Sequence, residues 1–369
     1  MHFNPYLQDI NSYQAGRPIE EVMREYGIAR EDIIKLASNE NPYGAAPEVL
    51  ESLKENIHTA NLYPDDSYYQ LKSALAQKFN TESSNIIIGS GSDQIIEFCI
   101  HVCAETNREF KILQAGVTFA MYEIYAKLFG AKVLKTKSAA HDLEQFLEIS
   151  KKEQPAIIFL CAPNNPLGEC LESKEIEQFL GQISHDTLVV LDGAYQEYAA
   201  FKDESKALNP QRLLHKFQNM IYLGTFSKAY GLGGMRVGYG IASQEIIKML
   251  HKVRPPFNIT TLSLCAAFTA LKYQDFTQQC IEKNFSEMRI YEDFFTQYNI
   301  GFIPSWTNFL TIKDSKIDST QLCEWFLQKG IILRDLKSYG LNACRITVGT
   351  NEQNQKVLKL FKEFLDSMK

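Results

Sequence analysis

The chain has 369 residues, 45% of them hydrophobic and 22% charged, with a formal net charge of -6. That length allows two domains and a large core. The acidic balance argues against general attraction to nucleic acid or an anionic membrane, while leaving room for local basic pockets. The eight cysteines contain no C-x-x-C pair and the seven histidines show no metal-ligand spacing. Structural zinc is therefore not expected, and Cys99 and Cys103, four apart, read as packing residues on one helix face. The N-terminus has no basic region followed by an apolar run, and no apolar run approaches the roughly 18 residues of a membrane span. A cytoplasmic protein with reduced thiols, no metal and no membrane or nucleic-acid partner is expected.

Residues 1–30 read as an arm with a short helix around Pro18 to Tyr26. A β run at Ile33–Leu36 leads into a turn-rich loop, Ala37-Ser38-Asn39-Glu40-Asn41-Pro42. Helices are expected near Pro47–Asn56 and Ser67–Phe79, separated by a loop containing Tyr63. Ile86-Ile87-Ile88 is a short strand running into Gly89-Ser90-Gly91-Ser92-Asp93 and then an apolar helix from Gln94. A strand, a Gly/Ser turn and a helix start form an anion site, because unpaired N–H groups point outward there.

Further β runs follow at Phe110–Leu113, Ala131–Leu134, Ala156–Leu160, Leu188–Leu191, Met220–Gly224 and Arg236–Gly240, with helical stretches between most of them. Apolar strands alternating with helices predict an α/β domain with a mostly parallel seven-stranded sheet covered on both faces. Ligands of such sheets bind beyond the carboxyl ends of the strands. Ser92, Asn165, Asp192 and Lys228 each follow a different strand. Between two β runs, Thr225-Phe226-Ser227-Lys228-Ala229-Tyr230-Gly231-Leu232-Gly233-Gly234-Met235-Arg236 combines a lysine with hydroxyls, glycines and an arginine. A lysine held beside a phosphate site suggests a Schiff base to pyridoxal phosphate. That cofactor's ring nitrogen needs a buried carboxylate, for which Asp192 fits. Asn165 and Tyr195 are candidate donors to its phenolic oxygen, and Gly91, Ser92, Asp93, Ser227 and Arg236 to its phosphate.

The pattern changes after Arg254-Pro255-Pro256. A long helix from Leu262 through the Tyr291 region, broken once or twice, precedes β runs at Phe309–Ile312, Ile331–Arg334 and Arg345–Val348. Helices are expected at Ser319–Lys329 and Gln353–Met368. This predicts a large domain over residues 31–258 and a smaller α+β domain of residues 1–30 and 259–369.

The order Ala-Pro-Asn-Asn-Pro-Leu-Gly (162–168), Asp-Gly-Ala-Tyr (192–195) and Ser-Lys-Ala-Tyr-Gly-Leu-Gly-Gly-Met-Arg (227–236) resembles the fold-type I, class II pyridoxal-phosphate aminotransferases. The pieces 13–18, 36–42, 63–65, 331–335 and 345–350 resemble the histidinol-phosphate aminotransferase branch of that family. The resemblance implies that Lys228 carries the cofactor and shuttles a proton, that Asp192 pairs with the ring nitrogen, and that Asn165 and Tyr195 bind the ring oxygen. It assigns the phosphate to Ser92, Asp93, Ser227 and Arg236, with Thr225 as an addition, and the ring face to Phe119. Arg345 would clamp a carboxylate, and Arg334, Tyr13 and Asn39 would contact the substrate's phosphate-bearing end. Tyr63 would reach the partner subunit's cofactor in a homodimer with shared sites.

The implied reaction is transamination between histidinol phosphate and 2-oxoglutarate, giving glutamate. Aromatic amino acid transamination and threonine-phosphate decarboxylation are the alternatives, and a non-catalytic regulator is disfavoured by the short arm and the acidic charge. Two positions depart from the family pattern, Leu167 and Gly193; the latter is expected to loosen the turn beside Asp192.

Overall fold

A computed structural model describes residues 1–10, 16–104 and 109–368. In chain order the strands are β1 (Ile34–Lys35), β2 (Ile86–Gly89), β3 (Lys111–Gln114), β4 (Lys132–Lys135), β5 (Ile157–Cys161), β6 (Leu188–Asp192) and β7 (Met220–Thr225). These are followed by β8 (Gly238–Ala242), β9 (Phe302–Ile303), β10 (Phe309–Ile312), β11 (Ile331–Ile332), β12 (Arg334–Asp335) and β13 (Cys344–Thr347). Seven of them form one sheet in the order β2-β8-β7-β6-β5-β3-β4. Its pairs are parallel except those of β8, which runs antiparallel to β2 and β7.

Both faces of this sheet are buried, so its strands read as continuous apolar runs rather than alternating ones. Ile86, Ile88, Ile158, Leu160, Val189 and Leu191 enter one core. Their neighbours Ile87, Ile157, Phe159, Leu188 and Val190 enter the core on the other face. The period-2 alternation of side chains thus feeds two apolar layers at once.

A second sheet, β12-β13-β10-β9, is antiparallel throughout. Its core joins Phe285, Met288, Tyr291 and Phe295 of the helix Gln274–Gln297 to Phe361 and Phe364 of the helix Asn351–Ser367. The arm packs on this unit through Val22 of the helix Ile19–Tyr26, which meets Leu327 and Ile332, and β1, just after the arm, pairs parallel with β11.

The long helix expected from Leu262 is two helices, Thr261–Lys272 and Gln274–Gln297, broken at Tyr273. Ala266, Ala267 and Ala270 of the first lie in the core of the seven-stranded sheet, whereas Ile281 of the second lies in the other core. We propose that the large unit extends through Lys272, beyond the boundary expected at 258.

Candidate active site

The parallel strands end on one edge, and antiparallel β8 begins there, with Gly238 opposite both Thr225 and Gly89. A cavity of about 150 Å³ opens on this side, lined in part by Asn39, Phe119, Asn165, Tyr195, Lys228, Arg334 and Arg345. Seven of the residues singled out from sequence therefore meet around one space. Ser38 and Tyr339 also line it; Ser38 lies in the 36–42 piece without an assigned role, and nothing in the local sequence marks Tyr339.

Lys228 stands in the turn after β7. The turn is stiffened from within: Ser227 N donates to Thr225 Oγ1 at 3.2 Å, and Thr225 Oγ1 donates to Val237 O at 3.4 Å. Lys228 Nζ donates to Ser38 O at 3.2 Å. Burial, reinforced by the Arg345 charge, lowers its pKa from 10.5 to about 8, against the opposing pull of Glu40 and Asp192. A lysine so depressed carries a useful fraction of neutral amine near physiological pH.

Asp192 ends β6 and is 3% exposed. Its Oδ1 accepts from Ala194 N at 3.0 Å and its Oδ2 from the Tyr122 hydroxyl at 2.6 Å. Burial raises its pKa and the two hydrogen bonds oppose that rise. Tyr122 was not picked out from sequence; its only local signal is an aromatic three residues after Phe119.

Gly193 does not loosen this turn, contrary to expectation. Its N–H donates to Leu223 O at 2.9 Å, and a Cβ there would lie 2.5 Å from Cε2 of buried Tyr222. Glycine is required because the tyrosine ring fills the space a side chain would take.

The helix Gly91–Cys103 starts three residues earlier than expected, so Gly91, Ser92 and Asp93 form its first turn and their N–H groups lack intrahelical partners. Gly91 has φ +75°, and a Cβ on it would lie 2.6 Å from the Arg236 guanidinium. A Cβ on Gly238 would lie 2.1 Å from Ser92 N. Helix start, strand start and guanidinium are thus packed into one anion cradle. Arg236 itself adopts φ 53° in the turn, so β8 begins two residues later than expected, and its guanidinium donates to Ser227 Oγ at 3.2 Å.

Two side chains assigned to the phosphate are engaged elsewhere. The Asp93 carboxylate accepts the Tyr125 hydroxyl at 2.8 Å, and the Thr225 hydroxyl is used inside its own turn.

Arg334 and Arg345 are directly opposite each other on β12 and β13. Residues so paired share one sheet face, and like charges there repel unless an anion lies between or beside them. Arg345 is 6% exposed and donates to Asn165 Oδ1 and to Ala37 O, the latter at 2.7 Å.

Asn39 is 1% exposed with φ 56°. Its amide donates to the Tyr195 hydroxyl at 2.8 Å, its N–H to Thr347 Oγ1 at 3.0 Å, and its carbonyl accepts from Asn308 at 3.0 Å. These bonds hold a left-handed backbone that Asn tolerates better than most residues.

Tyr63 lies outside this cavity. It is 82% exposed and stacks on Phe257 at 4.7 Å. Tyr13 lies outside the described residues. Cys161 is buried beside Asp192, which raises its thiol well above the ordinary range, so no reactive thiolate is expected there.

A doubly covered α/β sheet with a depressed lysine, a buried aspartate and an anion cradle on its carboxyl edge is the architecture of an aminotransferase-type fold. The chain belongs to the aminotransferase class I and II family, whose model matches residues 31–361. It is 59% identical to histidinol-phosphate aminotransferase of Helicobacter hepaticus over 98% of this chain and 99% of that protein. It is 58% identical to that of Aliarcobacter butzleri over the full length of both. Its fold matches a crystal structure of histidinol-phosphate aminotransferase from Sinorhizobium meliloti in complex with pyridoxal-5'-phosphate. That match has a TM-score of 0.88 at 23% identity, covering 100% of this chain and 98% of the other.

Proposed function

We propose that this chain is a pyridoxal-phosphate-dependent aminotransferase exchanging the amino group between L-histidinol phosphate and 2-oxoglutarate, yielding imidazole-acetol phosphate and glutamate in histidine biosynthesis. The observation that carries the reading is the opposed pair Arg334 and Arg345 on the cavity that also holds Lys228. One pocket must accept a phosphate-bearing substrate and a dicarboxylate in turn, and two arginines suit both. The substrate assignment draws support from the full-length relatives named above.

The residues fit the cofactor. Asp192 is a buried carboxylate with two neutral donors, and no ion pair to it is seen among the described residues, so it lacks the cation that a protonated ring nitrogen provides. Lys228 would hold the cofactor's aldehyde carbon, Asn165 and Tyr195 its ring oxygen, and Phe119 its ring face. The N–H groups of Gly91, Ser92 and Asp93, with Ser227 and Arg236, would hold its phosphate. Pyridoxal phosphate, when bound, supplies a ring that accepts the electron pair left when the substrate's Cα–H bond breaks.

Lys228 Nζ, released from the cofactor, would take the proton from the substrate's Cα as base and deliver it as acid to the cofactor carbon it had held; in the cofactor-free chain its pKa is already lowered to about 8. Arg345, held by Asn165 and Ala37, fixes a carboxylate. Arg334, Asn39 and Tyr13 contact the phosphate-bearing end of the other substrate. Between residues 57 and 69 the chain exposes Ile57, Leu62, Tyr63 and Tyr69 at 60%, 60%, 82% and 69%. Exposed apolar side chains so close together in sequence suit a second copy of the chain, giving a homodimer in which Tyr63 would reach the partner's cofactor.

The assignment includes a cytoplasmic location. Among the described residues no helix is long and apolar enough to cross a membrane. A substrate panel tests the reaction: amino-group exchange between histidinol phosphate and 2-oxoglutarate is expected. Carbon dioxide release from a phosphorylated amino acid, or exchange with aromatic amino acids alone, would overturn it.

A further inference from the structure

We propose that Tyr122 is a positioning residue for this reaction: its hydroxyl keeps the Asp192 carboxylate charged and in one orientation, ready for a protonated ring nitrogen. The role rests on the pyridoxal phosphate reading above.

Tyr122 belongs to the helix Ala120–Leu128, which starts immediately after Phe119. Its ring stacks on Phe159 of β5 at 4.5 Å and 6°, and meets Phe119 edge-on at 5.6 Å and 82°. Tyr122 has 0% exposure, and its hydroxyl donates to Asp192 Oδ2 at 2.6 Å, with the Cys161 thiol also beside it. Ala194 N holds the other oxygen at 3.0 Å. Rotating the carboxylate would break both bonds together, yet each oxygen keeps a second lone pair for a further donor. A phenylalanine would fill the same space against Phe159, so packing alone does not call for the hydroxyl.

The hydroxyl matters because burial favours neutral Asp192. The bond from Tyr122 is the largest influence opposing burial, followed by the Ala194 N–H. Asp93 also pushes Asp192 toward neutrality, and Lys228 pulls it back. Cys161, the register partner of Asp192 on β5, and the neighbouring Tyr195 and Tyr222 all have their acidity suppressed by burial and stay neutral. Burial and the Asp192 charge likewise suppress the acidity of Tyr122, so it remains a donor across the working pH range. Without it, Asp192 takes up a proton at a higher pH and loses the charge that a pyridinium needs.

The test is pyridoxal phosphate binding to the cofactor-free protein, followed by absorbance from about pH 5 to 9, a range spanning raised carboxyl values. Y122F keeps the ring and removes only the oxygen. Affinity is expected to fall about tenfold at neutral pH, and the acid limb of binding to move up by about one pH unit, as loss of a hydrogen bond to a charged group requires. Y291F removes a buried tyrosine hydroxyl bonded to Asn354 at 3.0 Å in the other core, and is expected to leave the limb in place. In a D192N background, adding Y122F is expected to change nothing further. If Y122F does not fold, 4-fluorophenylalanine incorporated at Tyr122 gives the same non-donating ring. A limb unmoved by the loss of the hydroxyl, or an equal effect in the D192N background, overturns the role of Tyr122 while leaving the cofactor reading intact. Failure of the unsubstituted chain to bind pyridoxal phosphate overturns both.

Discussion

Replacing Lys228 with methionine should stabilise the cofactor-free protein at neutral pH while removing its activity. The amine is pushed from 10.5 to about 8 mainly by burial. In the unfolded chain it returns to its ordinary value, so below about pH 8 the folded state must bury a charge that the unfolded state leaves in water. A depression of about 2.5 units corresponds to about 3 kcal/mol of lost stability. That cost is fully present below pH 8 and disappears as pH rises toward 10.5. Methionine has a similar length and no charge, and gives up the Nζ bond to Ser38 O at 3.2 Å, worth about 1 kcal/mol, together with the distant approach of Nζ to the Tyr195 ring at 5.8 Å. The net expectation is a variant more stable than the parent by about 2 kcal/mol at pH 7, closing toward zero by about pH 9.5. Chemical unfolding of both cofactor-free proteins at the two pH values measures it. A methionine variant no more stable at pH 7, or a gap that does not close with pH, would refute the account of Lys228 as an amine that the fold strips of water.

Three further outcomes follow from the geometry. G193A should cost about 1–3 kcal/mol by overpacking, because its Cβ would meet the Tyr222 ring at 2.5 Å; denaturation should show much of that cost relieved in the double variant with Y222L. R345K should lower kcat/KM for 2-oxoglutarate about 10- to 100-fold, since an ammonium cannot replace a bidentate fork, with steady-state kinetics as the readout. Y63A should leave the folding of each chain unchanged, because the residue is 82% exposed and contacts only Phe257 among the aromatic rings described. Mixing inactive Y63A with inactive K228A subunits should restore activity in hybrid dimers, and no restoration would argue against shared sites.

Much of the sheet was legible because both of its faces are covered, which leaves uninterrupted runs such as Ile157–Cys161 and Leu188–Asp192. The polar residue that ends such a run stands out against it, and this is how Asp192, Asn165, Ser92 and Lys228 could be found. Partners that reach the site from distant parts of the chain left no such mark. Tyr122 meets an aspartate 70 positions away. Asn39 is fixed by Asn308 and Thr347, whose places depend on the second sheet docking against the loop after β1. Periodicity also names a helix without naming the core it joins. One or two breaks were expected in the helix from Leu262, but the apolar faces did not place the break at Tyr273 or show that Thr261–Lys272 and Gln274–Gln297 enter different cores. The two-residue strand β9 was too short to leave a pattern, and the run at Ile331–Arg334 divides at Leu333 between two sheets.

The central claim is that Lys228 and its neighbours pass an amino group between histidinol phosphate and 2-oxoglutarate in one pocket. The most direct measurement is the absorbance spectrum of the pyridoxal-phosphate-loaded protein as histidinol phosphate is added, followed by 2-oxoglutarate. The account predicts that the first substrate converts the cofactor band to the amine form and that the second restores it. A band that histidinol phosphate leaves unchanged, while an aromatic amino acid shifts it, would contradict the substrate assignment. Absence of any lysine-linked band after incubation with pyridoxal phosphate would contradict the role of Lys228 itself.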